Sequence, residues 1–459
     1  MNRDLAELAR ATAGRLHGAN ATFGTVSSDT RQIEPRALFV ALRGERFDAH
    51  DFVPEAARRG AAGALVERLV TTQLPQIVVP DVLAALSTFA REWRRQFAIP
   101  VVGLTGSNGK TTVKAMIGSI LQLAGPVLVT QGNLNNHIGV PLTLCRLEAP
   151  HRHAVIEMGA NHQREIAHLA GIAEPTIGLV NNAGPAHLEG FGGLDGVARG
   201  KGELFEALGH GHIAVVNADD RYADFWRGLA GKAGRVLTFG LRAPADFRGS
   251  NVSSGVTDGG FETSFSMTTP VGSAQTVIHL AGEHNVLNAL GAAAAAYAAG
   301  ADLDAIVRGL ASMRPVSGRL ELKDALHGAR LIDDSYNANP GSLRAGIVSL
   351  ASLPGEHWLV LGEMAELGPG ASQLHAEIGA FARQSGVQRL LAVGAEARHA
   401  VESFGPGASW FANPDELIAT ARQELKPGVT VLIKGSRVNR LERVAAALAM
   451  SATPNGGAH

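Results

Sequence analysis

Apolar and polar positions along this chain fall into blocks whose rhythm changes twice. Up to about residue 95 the blocks are short. The opening stretch MNRDLAELARATAG has helical spacing, Ala37 to Leu42 and Ala64 to Glu67 read as strands, and Pro54 to Ala62 and Leu83 to Phe97 read as helices. From Ile99 the apolar runs VVGLTG, AVIEMG, TIGLVNN and IAVVNAD alternate with helix-length segments, the signature of a mostly parallel sheet covered on both faces. They end at Thr105, Glu157, Asn181 and Asn217, and an open parallel sheet presents ligand-binding groups at such strand ends. Between Phe239 and Leu280 the pattern becomes strict alternation, FETSFSM and AQTVIHL around TTPVGS, which predicts an antiparallel hairpin appended to the sheet. A third unit starts near Met313 with RLIDDS, WLVLGEM, LLAVGA and VTVLIKGS, ending at Asp333, Glu363 and Lys434. The expectation is an α/β protein of three domains at 1–95, 96–312 and 313–459. The tail SATPNGGAH is expected to be disordered.

Composition narrows the partners. With 41 basic and 42 acidic residues among 459, the chain lacks the electrostatic footprint of a nucleic-acid or anionic-membrane binder, so a small-molecule partner is expected. Its single cysteine, Cys145, excludes an intramolecular disulfide framework and suits a reducing cytoplasm. The N-terminal stretch lacks the apolar core of a signal peptide. Ala289 to Ala299 is shorter than the roughly 18 to 20 residues that span a bilayer, and reads as a buried helix.

The first chemistry lies where VVGLTG runs into Ser107-Asn108-Gly109-Lys110-Thr111-Thr112 and then the helical pattern VKAMIGSIL. A glycine-rich turn between a strand end and a helix N-terminus cradles phosphate. Gly106 and Gly109 allow close approach of backbone N–H groups, Lys110 reaches the outer phosphates, and the Thr111 hydroxyl can ligate magnesium. The strict Walker spacing fails, because position 104 is leucine and Gly103 is one residue out of register. Nucleotide binding is inferred all the same. The loop alone leaves a ligase, a switch, a motor and a kinase open.

The segments TQGNLNNHIGVPLTL, VIEMGANHQREI, NNAGPAHLEGFGGLDGVARGKGELF and GEHNVLNALGAA, together with SGRLE, DDSYNANPGS, LGEMAELG and VLIKGSR, resemble the Mur ligases over nearly the whole chain. YNANP and KGSR resemble the branch that adds D-alanyl-D-alanine. The DNPR motif typical of the branch adding a diamino acid is missing. The resemblance implies a UDP-substrate-binding domain, a central P-loop ATPase domain and a Rossmann-like C-terminal domain. It also implies an activity: ATP phosphorylates the terminal carboxylate of UDP-MurNAc-tripeptide, and the amine of D-Ala-D-Ala attacks the acyl phosphate. ATP and Mg2+ are the implied cofactors, and the third residue of the peptide is diaminopimelate or lysine. A monomer is expected, since three domains complete the site within one chain. A nucleotide-dependent switch would instead hydrolyse ATP without a carboxylate substrate.

Glu157 ends an apolar strand, where a buried carboxylate needs a cation or hydrogen-bond donors; the resemblance makes it a magnesium ligand with Thr111. His187, a loop histidine on composition alone, matches the family's A-H-L-[ED] segment near a second magnesium. Lys201, otherwise an ordinary helix lysine, corresponds to a lysine carbamylated by CO2, which would turn a cation into an anionic ligand. Asn288 is implied at the adenine or ribose, Arg319 at ATP phosphate and Asp333 at ribose. Asn135, Asn136 and Asn161 suit sugar and peptide groups. Ser28, Asp29 and Arg31 lie in a stretch similar to the uridine-binding region. Tyr336, Asn337 and Asn339, with Lys434, Ser436 and Arg437, are implied around the nucleotide and the dipeptide. For the base that deprotonates the amine, His375 and Glu363 are the two possibilities.

Overall fold

The computed structural model describes residues 3–44, 47–257 and 260–450; the tail SATPNGGAH lies outside them. Its strands form three main sheets drawn from consecutive stretches of chain, plus a two-stranded pair of Arg3–Asp4 with Thr22–Phe23.

The first sheet has five strands in the order Arg15–His17, Gln76–Val78, Gly63–Val66, Ala37–Val40 and Thr25–Ser27, parallel except for the first pair. The helix expected at 54–62 is Val53–Arg58. It stops early because Gly60, at φ +82°, takes the left-handed conformation that closes a helix. The next helix, Val82–Arg94, starts at Asp81, whose carboxylate accepts from the Ala84 N–H. Its end docks on the central unit. The buried Arg94 guanidinium donates to the carbonyls of Ala173, Phe97 and Glu174 at 2.8, 2.9 and 3.1 Å.

The central sheet has nine strands, ordered Gly272–Ile278, Gly260–Thr269, Phe247–Thr257, Arg235–Gly240, Ile213–Asn217, Ile177–Val180, Val101–Thr105, His153–Glu157 and Val127–Val129. The strands from Arg235–Gly240 to Val127–Val129 are parallel. The appended antiparallel element has three strands where the alternation predicted two. The extra one, Phe247–Thr257, pairs parallel with Arg235–Gly240 and antiparallel with Gly260–Thr269, with a register shift between Ser250 and Ser253. Val101–Thr105 sits where the strand order reverses, and crevices open at the carboxyl ends of strands on either side of such a switch.

Helices Lys110–Gln122, Glu283–Ala298 and Leu303–Ser312 cover one face of the sheet. The alanine run sits buried inside the second of these, and among the described residues no helix is long and apolar enough to cross a membrane. The other face shares one continuous apolar core with the N-terminal unit, joining Leu5, Phe23 and Leu65 to Val101, Leu144 and Phe205. The third sheet runs Glu321–Asp324, Arg330–Asp333, Val429–Lys434, Glu356–Gly362, Arg389–Val393 and Ala408–Phe411, antiparallel only at its first pair.

Candidate active site

The glycine-rich turn joins strand Val101–Thr105 to helix Lys110–Gln122, and its shape is set by the neighbouring strand end. The Ser107 N–H donates to Asn182 O at 3.0 Å, the Asn108 N–H to Asn182 Oδ1 at 2.9 Å, and Asn181 Nδ2 to Asn108 O at 2.9 Å. Gly109 is required twice over. Its φ is +78°, and a Cβ there would stand 2.4 Å from Asn288 Oδ1 and 2.6 Å from Asn181 Nδ2. Lys110 Nζ reaches back to Gly106 O at 2.7 Å. Burial, followed by the Arg319 charge, pulls the lysine below its ordinary pKa, and Glu157 opposes that pull. Thr112 is buried and does not line the cleft.

Glu157 is almost fully buried at the end of its strand and fully engaged. Oε2 pairs with Lys114 Nζ at 2.9 Å, Oε1 accepts from Asn135 Nδ2 at 2.8 Å, and the Thr111 hydroxyl lies 3.4 and 3.3 Å from the two oxygens. Adjacent oxygen ligands of octahedral magnesium lie about 3 Å apart, so hydroxyl and carboxylate fit a shared hard cation. Among the described residues no three His, Cys, Asp or Glu side chains cluster as a metal site.

Lys201 lies on helix Leu194–Glu206. It is 1% exposed, donates to Ala160 O at 3.2 Å, stands 5.0 Å from the Phe191 ring centroid and has no ion pair among the described residues. Burial, then the charge of Lys110, holds its amine well below the ordinary lysine pKa. It lies just behind the Ala160 wall of the cleft. His187, at φ +55°, bonds through Nδ1 to the Glu366 carboxylate of the third unit. Burial lowers its pKa and Glu366 opposes the shift.

The cleft has a volume of about 690 Å³, and its walls come from residues 107–187 and 319–438. Of the expected residues, Ser107, Asn108, Gly109, Lys110, Thr111, Asn135, Asn136, Glu157, Asn161, His187, Arg319, Tyr336, Asn337, Asn339, Ser436 and Arg437 line it. On the far wall Arg319 lies 4.3 Å from the Tyr336 ring centroid. Asn339 joins the walls directly. Its Oδ1 caps helix Pro340–Ala351 by accepting the Ser342 N–H at 2.9 Å, and its Nδ2 donates to Asn108 Oδ1 at 2.6 Å.

Other expected residues lie off the cleft. Asn288 bonds Asn181 Nδ2 at 2.8 Å behind the turn. Asp333 binds Lys323 Nζ and the Ser335 hydroxyl at 2.8 and 2.6 Å. Gly106 is packed against Asn181. Ser28, Asp29 and Arg31 form a separate surface of the N-terminal unit, where Arg31 pairs with Asp29 at 2.7 Å. Lys434 is buried against Asp334 at 2.6 Å, its attraction to that carboxylate opposing the burial that pushes both toward neutrality. His375 takes the Met364 N–H on Nε2 and bonds Ala371 O through Nδ1, which occupies both ring nitrogens, and it does not line the cleft. Glu363 does not line the cleft.

Sequence reasoning passed over Lys114, Asn182 and Glu366. Lys114 had a signal, a lysine four residues after Lys110 on an otherwise apolar helix. Glu366 had none, because its partner is 179 residues away.

A phosphate-cradling turn, a buried carboxylate beside it and a facing domain that supplies an arginine describe a nucleotide-dependent enzyme with its site between two domains. The family description "Mur ligase middle domain" matches residues 104–296, "Mur ligase, glutamate ligase domain" matches 318–437, and "Mur ligase family, catalytic domain" matches 22–94. The chain belongs to the Mur ligase family. It is 44% identical to the UDP-N-acetylmuramoyl-tripeptide--D-alanyl-D-alanine ligase of Escherichia coli (strain K12), over 98% of this chain and 99% of that one. A solved structure from Acinetobacter baumannii, named UDP-N-acetylmuramoylalanyl-D-glutamyl-2,6-diaminopimelate--D-alanyl-D-alanyl ligase, superposes with a TM-score of 0.86 at 35% identity, covering 97% and 98% of the two chains. The MurF ligase of Thermotoga maritima in complex with ADP gives 0.81 at 28%, covering 92% and 96%.

Proposed function

We propose that this chain is the ATP-dependent ligase that joins D-alanyl-D-alanine to UDP-N-acetylmuramoyl-tripeptide. The observation that carries the reading is the apposition of the phosphate-cradling turn to Arg319 and the YNANP segment across one cleft, in a chain whose full-length relative has this activity in its name. Lys110 and the turn's N–H groups hold the outer phosphates of ATP, and Arg319 approaches from the C-terminal domain. The terminal carboxylate of the peptide attacks the γ-phosphorus, ADP leaves, and the resulting acyl phosphate loses phosphate as the dipeptide amine forms the new C–N bond. The closed cleft keeps water from the acyl phosphate.

Thr111 and Glu157 would hold Mg2+, which screens phosphate charge. His187 and a carbamylated Lys201 would serve a second ion. The unprotonated amine is the form that adds CO2, and burial of Lys201 favours that form. Asp333 and Asn288 act through neighbours that support the nucleotide, and Ser28, Asp29 and Arg31 receive the uridine end. The enzyme works as a cytoplasmic monomer on a peptide whose third residue is diaminopimelate, as in the name of the Acinetobacter protein, or lysine.

The test is phosphate release from ATP with UDP-MurNAc-tripeptide, with and without D-Ala-D-Ala, following the UDP product by mass. Release that needs both substrates, with a gain of one dipeptide, is expected. Release that ignores them, with no adduct, sinks the ligase reading in favour of a nucleotide switch.

A further inference from the structure

Ten non-glycine residues among those described have left-handed backbone, and three of them, Arg164, His187 and Glu366, line the cleft. A side chain in that conformation is disfavoured, and such residues persist where surrounding structure over-determines them, often at ligand clamps. His187 and Glu366 are bonded to each other. Arg164 (φ +69°) is held by its backbone alone: its N–H donates to Glu203 Oε1 at 2.6 Å, while the other oxygen of that carboxylate takes the Ala167 N–H at 3.0 Å. The exposed Arg164 guanidinium has no hydrogen-bond or ion-pair partner among the described residues. By contrast, Arg319 stacks on Tyr336 and Arg437 pairs with Glu442 at 3.1 Å.

The position of Arg164 indicates what it would meet. It opens helix Glu165–Ala173, about 13 Å long at 1.5 Å per residue, whose far-end carbonyls take the Arg94 guanidinium at the docked end of the N-terminal unit. A UDP-linked acceptor held by that unit and reaching the phosphate turn would enter the cleft that Arg164 lines together with the turn. The nucleotide's charge is met elsewhere, by the turn and Arg319. We infer that Arg164 binds a carboxylate of the acceptor peptide that takes no part in the reaction, and so sets acceptor specificity. This rests on the ligase reading. An alanyl-glutamyl-diaminopimelyl peptide carries such groups on its glutamyl residue and on its third residue.

The test compares the parent with R164G and R164N, whose new residues accept left-handed backbone. Acceptors would be the native tripeptide, one amidated on the glutamyl carboxylate, and one with lysine in third place. Loss of a charge-assisted hydrogen bond predicts an acceptor KM about tenfold higher in both variants, with the KM for ATP unchanged and melting temperature no lower than the parent's. Amidation should penalise the parent about tenfold and the variants hardly at all. If lysine rather than amidation reproduces that difference, the carboxylate is the third residue's. Unchanged acceptor KM in both variants, or equal penalties in parent and variants for both altered acceptors, overturns the inference alone. A parent that forms no adduct overturns the ligase reading with it.

Discussion

Replacing Lys114 with methionine tests how the centre of the site is held together. Lys114 and Glu157 pair at 2.9 Å with side chains 6% and 2% exposed, so both charges are largely withdrawn from water. Removing one partner of a buried pair costs about 3 to 5 kcal/mol, because the remaining charge is left uncompensated. Methionine keeps most of the lysine stem, so the cavity contribution is small. Asn135 and Thr111 still donate to Glu157, which places the expected loss near the lower end, about 3 kcal/mol. For a central unit of this size that is a melting-temperature drop of roughly 6 to 12 °C in calorimetry without nucleotide. Neutralising the orphaned carboxylate should return much of the loss, so K114M/E157Q is expected to melt above K114M. A drop under about 2 °C, or a double variant no better than the single one, refutes the reasoning.

Three further outcomes are expected. Gly109→Ala meets both the left-handed backbone and the Asn181–Asn288 bond, and should cost about 2 to 3 kcal/mol with a large rise in the KM for ATP; a nucleotide affinity equal to the parent's would contradict the geometry. Arg94→Met strips three carbonyls of their donor where the N-terminal helix docks, so limited proteolysis near residues 95–100 should speed up at least tenfold, on about 1.5 to 3 kcal/mol lost. Burial holds His284 at a pKa of about 4 against an ordinary 6.5, so the unfolded chain binds the extra proton first. Stability from this ring is complete above pH 6.5 and is lost as pH falls toward 4, on the order of 2 kcal/mol for a part-exposed ring; His284→Asn should flatten that part of the melting profile.

The parallel strands were legible because burial on both faces writes them as continuous apolar runs, as at Val101–Thr105 and Ile177–Val180. Phe247–Thr257 escaped because beyond Phe247 and Gly249 none of its residues is buried, so its sequence carries almost no apolar half to alternate with the polar one. Val127–Val129 and Ala408–Phe411 are too short to show a period. The phosphate turn and Glu157 could be read because local order along the chain fixes them. What could not be read depends on packing between distant segments: that Asn288 stands behind the turn, that His375 has both nitrogens committed, and that Glu366 meets His187. The signal at Lys114 was present but looks like any solvated helix lysine until the fold buries it.

The amide of Asn339 faces two ways, with its oxygen committed to the start of a helix and its nitrogen committed to Asn108 of the phosphate turn. Neither end can rotate without abandoning its partner, so this planar group joins the His187–Glu366 bond in registering the C-terminal domain over the turn. Aspartate at that position would keep the helix cap and accept where asparagine donates, so the Asn108 amide would have to turn round to meet it. N339D therefore separates two properties that every larger lesson confounds, leaving the fold of the domain as it is and changing only one of the contacts that latch it.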